Sequence, residues 1–222
     1  MAYAPGVRLE ARMRSSAVKA VKLDIDWTAQ TILPIEFEGR ELNLEARAYQ
    51  GLDPTCQALA LINEYEDANL TLPVVRVHSG CVTGDIFHSL RCDCYTQLQA
   101  AMAHITRVPN GVLLYLPYHE GRGIGLVNKI KAYALQDQGL DTVDANVEIG
   151  APVDARDYNL AAQILFDLGF PKIRLLTNNP AKVDALRAAG IVVVERLPVI
   201  SKPTAHNKRY LSTKKERMAH QL

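Results

Sequence analysis

Three of the four cysteines in this 222-residue chain fall within "GCVTGDIFHSLRCDC", residues 80–94, at positions 81, 92 and 94. Three sulfur donors without an obvious fourth match a metal site that leaves one coordination position for water, whereas structural sites close the tetrahedron with four Cys or His ligands. A zinc ion held by Cys81, Cys92 and Cys94 would lower the pKa of its water to about 7 and make a nucleophile at neutral pH. His78 and His88 lie near in sequence, and either would make the site a closed, structural one. Three buried, reduced thiols without a metal are the alternative, because a C-x-C pair is less specific than the two-residue knuckle of zinc fingers. Cys56, in "PTCQALALI", stands apart among apolar residues at helical spacing and reads as a small core filler.

A second stretch, "EGRGIGLVNK" (120–129), follows an apolar run and opens a helical one. Its glycines permit close backbone approach to a ligand, the helix start favours an anion, and Arg122 offers a planar fork of donors for phosphate or a base edge. The spacing is neither the dinucleotide G-x-G-x-x-G nor a P-loop, so by itself the motif fits a plain tight turn equally well.

These residues need a scaffold. "LPIEFEGRELNLEARAYQ" alternates apolar and polar residues about a glycine turn and predicts a hairpin, while "PVVRVHS" and "GVLLYLPY" predict buried strands. "SLRCDCYTQLQAAMAHI" predicts a helix with Leu98, Met102 and Ile105 inward, and "GLVNKIKAYALQDQG" a helix stopped by Gly139. "DARDYNLAAQILFDLG" predicts a helix capped by Asp154, with Leu160, Ile164, Leu165 and Leu168 as its apolar stripe and Gly169 as its end. "KIRLLTNNPAKVDALRAAGIVVVERL" predicts a compact βαβ unit with Pro180 in the first helical turn. The expected fold is a single α/β (α+β) domain with a mixed, partly parallel sheet flanked by helices. Residues 1–27 read as an N-terminal extension, 28–200 as the catalytic domain and 201–222 as a basic C-terminal arm.

The composition narrows the class. A formal net charge of +1 gives no bulk field for nucleic acid, and basic residues gather at the two ends, where solvated arms are the ordinary reading. No window reaches the roughly 18 apolar residues of a membrane helix, and no signal-peptide core is present, so a cytoplasmic protein with reduced thiols is expected.

Taken together and in order, "RVHSGCVTGD", "SLRCDC", "EGRGIGL", "NKIKAYALQDQG", "DARDYN" and "LLTNNPAKV" resemble GTP cyclohydrolase II, from about Val75 to Pro198. The resemblance implies hydrolysis of GTP with loss of formate and pyrophosphate, zinc and magnesium as cofactors, and a homodimer, while the near-neutral charge and the lack of a membrane-length apolar run predict no nucleic-acid or membrane partner. It implies Cys81, Cys92 and Cys94 as zinc ligands. Tyr133 is implied to assist at the purine ring, and Asp154 and Arg156 to act at the α-phosphate as proton acceptor and nucleophile. A guanidinium is a poor nucleophile because it stays protonated above pH 12, so charge stabilisation is the less demanding role for Arg156. Arg76, Val77, His78, Ser79 and Gly80, then Gln97, Glu120, Gly121, Arg122, Thr142, Thr177 and Lys182, are implied to bind the nucleotide, with Gln97, Glu120 and Arg122 suited to the guanine edge. The pattern departs from the family at Gly80, Tyr95 and Pro117–His119. A paralogue with an altered substrate or endpoint, such as a formamidopyrimidine product, and a non-catalytic zinc nucleotide-binding module are the competing readings.

Overall fold

The hairpin forms where alternation and turn chemistry agree. Strands β1 (Ile25–Phe37) and β2 (Arg40–Gly51) pair antiparallel from Phe37 opposite Arg40 outward. The two residues between them, Glu38 and Gly39, have φ of 52° and 70°, the left-handed pair that a tight hairpin turn of matching twist requires. The structure, a computed structural model, describes residues 25–63 and 71–199 together with Asn207, Leu211, Ser212 and Lys215. The expected extension therefore lies outside the described residues up to position 24, while Ile25 and Trp27 already pair with β2.

The segment after Cys56 is a strand rather than part of a helix: β3 (Gln57–Asn63) buries Ala58, Ala60 and Ile62 in alternation. Seven residues with apolar groups on both faces satisfy either period, and pairing with β2 on one side and β5 on the other decides for the strand. Cys56 packs half-buried against the core edge, as expected of a filler.

From β4 (Val74–Ser79) the chain runs through α1 (Val82–Asp85) and α2 (Cys94–Ile105) to β5 (Gly111–Leu116). The helix expected from Ser89 begins only at Cys94 and buries Met102 and Ile105 against Phe37, Leu44 and Leu113. A 3₁₀ segment over Pro117–Arg122 leads to α3 (Gly125–Asp137), stopped at Gly139 with φ of 108° as expected. Next comes α4 (Thr142–Glu148), not foreseen from the sequence, whose N-terminus is capped by the Asp141 carboxylate.

Helix α5 spans Asn159–Asp167, so Asp154 is not its cap. The Asp157 carboxylate accepts from the Asn159 N–H at 2.8 Å instead. The Ala155 N–H is taken by the Arg122 carbonyl at 3.0 Å, which ties residues 154–156 to the glycine turn and keeps them out of the helix. The expected βαβ unit is present as β6 (Lys172–Leu176), α6 (Pro180–Ala188) and β7 (Val192–Leu197), with Asn179 capping α6.

The strands among the described residues form one sheet in the order β1-β2-β3-β5-β4-β6-β7, antiparallel on the hairpin side and parallel from β5 to β7. Helix α5 supplies the main core, with Leu160, Ile164, Leu165 and Leu168 buried against Val75, Val77, Leu114 and Phe170. Burial of such side chains contributes roughly 1.5–3 kcal/mol each. Of the expected basic arm, Asn207 and Leu211 are buried, Ser212 is half-buried and Lys215 exposed, and the Leu211 N–H reaches the Asn207 carbonyl; the rest lies outside the described residues.

Candidate active site and metal centre

Strands β4, β5 and β6 are parallel neighbours, so their carboxyl ends open on one edge. The chain leaves β4 for β5 on one side of it and later returns to β6 on the other. That reversal is the topological switch point at which open α/β sheets form a ligand crevice. Gly80–Cys81 follows β4, the 3₁₀ segment follows β5 and Thr177–Asn179 follows β6. Every site residue expected from the sequence lines this crevice except Val77, Glu120 and Asp154, each of which accepts a hydrogen bond from a lining residue: Lys182, Lys129 and Arg156 in turn.

The three thiols meet. The donor atoms of Cys81, Cys92 and Cys94 all lie within 4.8 Å of one another, and the Sγ atoms of Cys81 and Cys92 are 3.8 Å apart. A tetrahedral ion with metal–sulfur bonds of about 2.3 Å spaces its sulfurs roughly 3.8 Å apart, so the donor set fits such an ion. Gly84 makes the room: a Cβ there would stand 2.9 Å from the Cys92 sulfur and 3.1 Å from that of Cys81. Hydrogen bonds from Cys92 and Cys94, then from Lys129, hold the Cys81 thiol far below its ordinary pKa. The bond to Cys81 pushes Cys92 up to about 11, and Cys94 rises for the same reason. Among the described residues no fourth Cys, His, Asp or Glu joins the cluster. His78 turns to Asp85, and His88 lies 3.8 Å, ring to ring, from Tyr95, so neither is the fourth ligand.

A buried network frames the cysteine loop. The Asp85 carboxylate accepts from the Cys81 N–H at 2.9 Å, from His78 Nε2 at 3.1 Å and from the Tyr115 hydroxyl at 3.2 Å. Burial keeps His78 neutral by lowering its pKa. Gln97 accepts from Arg76 Nη2 at 2.7 Å and donates to Asp93. Glu120 accepts from Lys129 at 2.6 Å and from the N–H groups of Gly121 and Val82 at 3.0 and 2.6 Å. Gln97 and Glu120, two of the three side chains expected at the guanine edge, thus have protein partners that fix their positions beside the crevice.

Several cations also line the crevice. Arg156 donates through Nε and Nη2 to both oxygens of Asp154, and this pairing outweighs burial in lowering the Asp154 pKa. Lys182 is only 4% exposed and donates to the Val77 carbonyl at 2.8 Å, so it is no solvated helix charge. Arg76 donates to the Leu176 carbonyl at 3.1 Å, and Thr177 accepts from the Asn179 N–H at the turn before α6. Arg122 stands at φ of 63° between Gly121 and Gly123, a left-handed backbone that a non-glycine residue adopts at an energetic cost. Ser79 stands between His119 Nδ1 at 3.1 Å and Arg156 Nη1 at 3.4 Å.

Helix α3 presents Lys129, Ala132, Tyr133 and Gln136 to the crevice while Ile130 faces outward at 49% exposure. Tyr133 is therefore a crevice residue rather than a core aromatic packed beside Ile130, and burial raises the pKa of its hydroxyl. Thr142 closes the same side from the start of α4. Sequence reasoning missed Lys129, Asp85 and His119. Lys129 was within reach, since it precedes Tyr133 by one helical turn.

Fold and crevice define a single-domain α/β protein with a thiol cluster able to hold a metal in a crevice lined by several Arg and Lys side chains. The GTP cyclohydrolase II profile matches residues 28–198, and the chain belongs to that family. It is 58% identical over 149 residues to the riboflavin biosynthesis protein RibBA of Mycobacterium marinum, covering 67% of this chain and 35% of that protein. It is 51% identical over 181 residues to RibBA of Nocardia farcinica, covering 80% and 42%. The chain thus spans less than half the length of these curated relatives. A solved structure, RibBX from A. baumannii, a two-domain 3,4-dihydroxy-2-butanone 4-phosphate synthase, aligns with a TM-score of 0.39 at 19% identity over 81% of this chain and 42% of that one. No helix among the described residues is long and apolar enough to cross a membrane.

Proposed function

We propose that the chain hydrolyses GTP in a zinc-dependent reaction of riboflavin biosynthesis in the cytoplasm. The guanine imidazole ring opens, formate and pyrophosphate leave, and 2,5-diamino-6-(5-phosphoribosylamino)pyrimidin-4(3H)-one remains. The observation that carries this reading is the meeting, in one crevice, of three thiols spaced for a tetrahedral ion and a wall of Arg and Lys side chains suited to a triphosphate.

Cys81, Cys92 and Cys94 would hold zinc, which supplies Lewis acidity and lowers the pKa of water beside the purine ring. Tyr133 keeps its proton and can donate at the ring. Arg156, oriented by Asp154 at two points, stabilises charge on the α-phosphate and remains a protonated donor throughout. Arg76, Arg122, Lys182 and Thr177 line the crevice and would hold the remaining phosphates, whose charge Mg²⁺ would share when bound. Exposed Phe87 and Val127 give the proposed homodimer apolar surface to cover.

The test incubates zinc-loaded protein with GTP and Mg²⁺, assays formate and pyrophosphate, and identifies the pyrimidine by mass. Release of both is expected. Pyrophosphate with a retained formyl group would replace this reading by a formamidopyrimidine-forming paralogue, and binding without either product would reduce the protein to a nucleotide-binding module. Cys92→Ser is expected to abolish formate release and to lower bound zinc.

A further inference from the structure

Lys129 lies on α3, 48 residues beyond Cys81, yet its Nζ donates to the Cys81 sulfur at 3.0 Å and to Glu120 Oε1 at 2.6 Å. The residue is 7% exposed. Glu120 is itself fixed by the N–H groups of Gly121 and of Val82, the residue after Cys81. The ammonium therefore joins three separate pieces of the site: the cysteine loop, the glycine turn and the helix that carries Tyr133. The sulfur cluster has its own need for such a group. Three thiolates about a divalent ion leave one net negative charge in a buried place, which is unfavourable without a compensating cation.

We propose that Lys129 is a positioning residue of the metal centre: it holds the Cys81 sulfur in its ligating place, offsets the excess negative charge of the three-sulfur site and locks that site to the glycine turn through Glu120. This rests on the reading that the three cysteines hold zinc, and it adds a specific outer partner that orients a ligand. Outer partners of this kind typically change metal affinity by about 10–100-fold when removed. The Cys81 sulfur at 3.0 Å and the Glu120 carboxylate at 2.6 Å give the buried amino group an acceptor on each side. A purely structural lysine would behave differently. Buried ion pairs are often replaceable by apolar groups of similar volume without loss of stability, and such a replacement would leave metal affinity untouched.

The experiment compares wild type, Cys92→Ser, Lys129→Met and Lys129→Arg. Zinc affinity is measured by competition with a chromogenic chelator, and each protein is also loaded with Co²⁺ to record its sulfur-to-metal charge-transfer band. Lys129→Met is expected to bind zinc about 10–100-fold more weakly. Its Co²⁺ band should move to longer wavelength, because a thiolate that has lost an N–H donor gives up its electron more readily. Lys129→Arg, which restores charge and donors, is expected to recover most of both properties. Wild-type affinity and an unshifted band in Lys129→Met would overturn the proposal while leaving the cysteine site standing. Zinc binding that is absent from wild type, or unaffected by Cys92→Ser, would overturn the metal reading itself and this proposal with it. Should circular dichroism show Lys129→Met unfolded, Lys129→Gln, uncharged but polar and similar in length, takes its place with the same expected weakening and the same overturning result.

Discussion

The Asp85 carboxylate receives the backbone N–H of Cys81 at 2.9 Å, so the first residue of the thiol cluster is held by an acid four positions further on. His78 and the Tyr115 hydroxyl share that carboxylate, and the Asp85 side chain is only 3% exposed. Asp85→Ala would strand all three donors in a dry site. A loss of roughly 3 kcal/mol of stability is expected, because each buried group left without a partner costs about 1–3 kcal/mol and some of them will find water. Urea denaturation of the two proteins checks this, and an unchanged midpoint would mean that the network is ornamental.

Gly84 offers a sharper probe of the cluster. Its backbone φ lies outside the left-handed region, so alanine there brings no backbone strain and acts only through its methyl group. That methyl would stand 2.9 Å from both the Cys92 sulfur and the Cys94 Cβ, closer than real contacts allow. Gly84→Ala should therefore spread the thiols and lower bound zinc well below one ion per chain while leaving the distant sheet intact. Zinc analysis with far-ultraviolet circular dichroism reads both parts, and full metal content would show that the thiols are not packed as described.

Which features could be read in advance follows from how local their causes are. The β6–α6–β7 unit was legible because the Asn179 cap, Pro180 and Gly190 sit beside the elements they punctuate. The thiol cluster was legible from types and spacing, and the crevice from the strand-to-turn pattern around it. The start of α5 was not, because Asp154 has a capping side chain but is claimed by Arg156, while a backbone bond from Ala155 to Arg122 sets the loop path. The β3 strand was hidden by its length, since seven residues do not separate a period of 2 from one of 3.6. The bonds of Gln97 to Arg76 and of Glu120 to Lys129 were hidden too, because each joins side chains on separate elements.

Arg156 separates the two halves of the proposed chemistry. Its guanidinium grips Asp154 at two points, a geometry lysine cannot reproduce. Arg156→Lys keeps the charge and loses the fork. Turnover of GTP is expected to fall on the order of 10²–10³-fold, the usual loss when a preorganised donor to developing charge is removed, with zinc content unchanged. Steady-state assay of pyrophosphate release beside metal analysis tests it. Wild-type turnover would remove Arg156 from the mechanism, and a parallel loss of zinc would show that its effect is structural.

His119 makes the site sensitive to acid by a route that can be isolated. The ring is 1% exposed, its Nε2–H donates to the Asp157 carbonyl at 2.8 Å, and its Nδ1 is left to accept from Ser79. Burial, followed by the nearby Arg156 and Lys182 charges, lowers its pKa to about 4 from an ordinary 6.5. A base whose folded pKa is depressed binds its proton first in the unfolded chain. Its contribution to stability is therefore complete above about pH 6.5 and declines as pH falls from there toward 4, with a slope of about 1.4 kcal/mol per pH unit. His78, also depressed by burial, acts in the same direction and is common to wild type and variant. His119→Gln can keep one donor and one acceptor without titrating, so the wild-type stability should fall more steeply than that of the variant by that single-proton slope between pH 6.5 and 4. Denaturant midpoints collected across this range measure the difference directly, and equal slopes in the two proteins would mean that His119 takes up its proton in the folded state as readily as in the unfolded one.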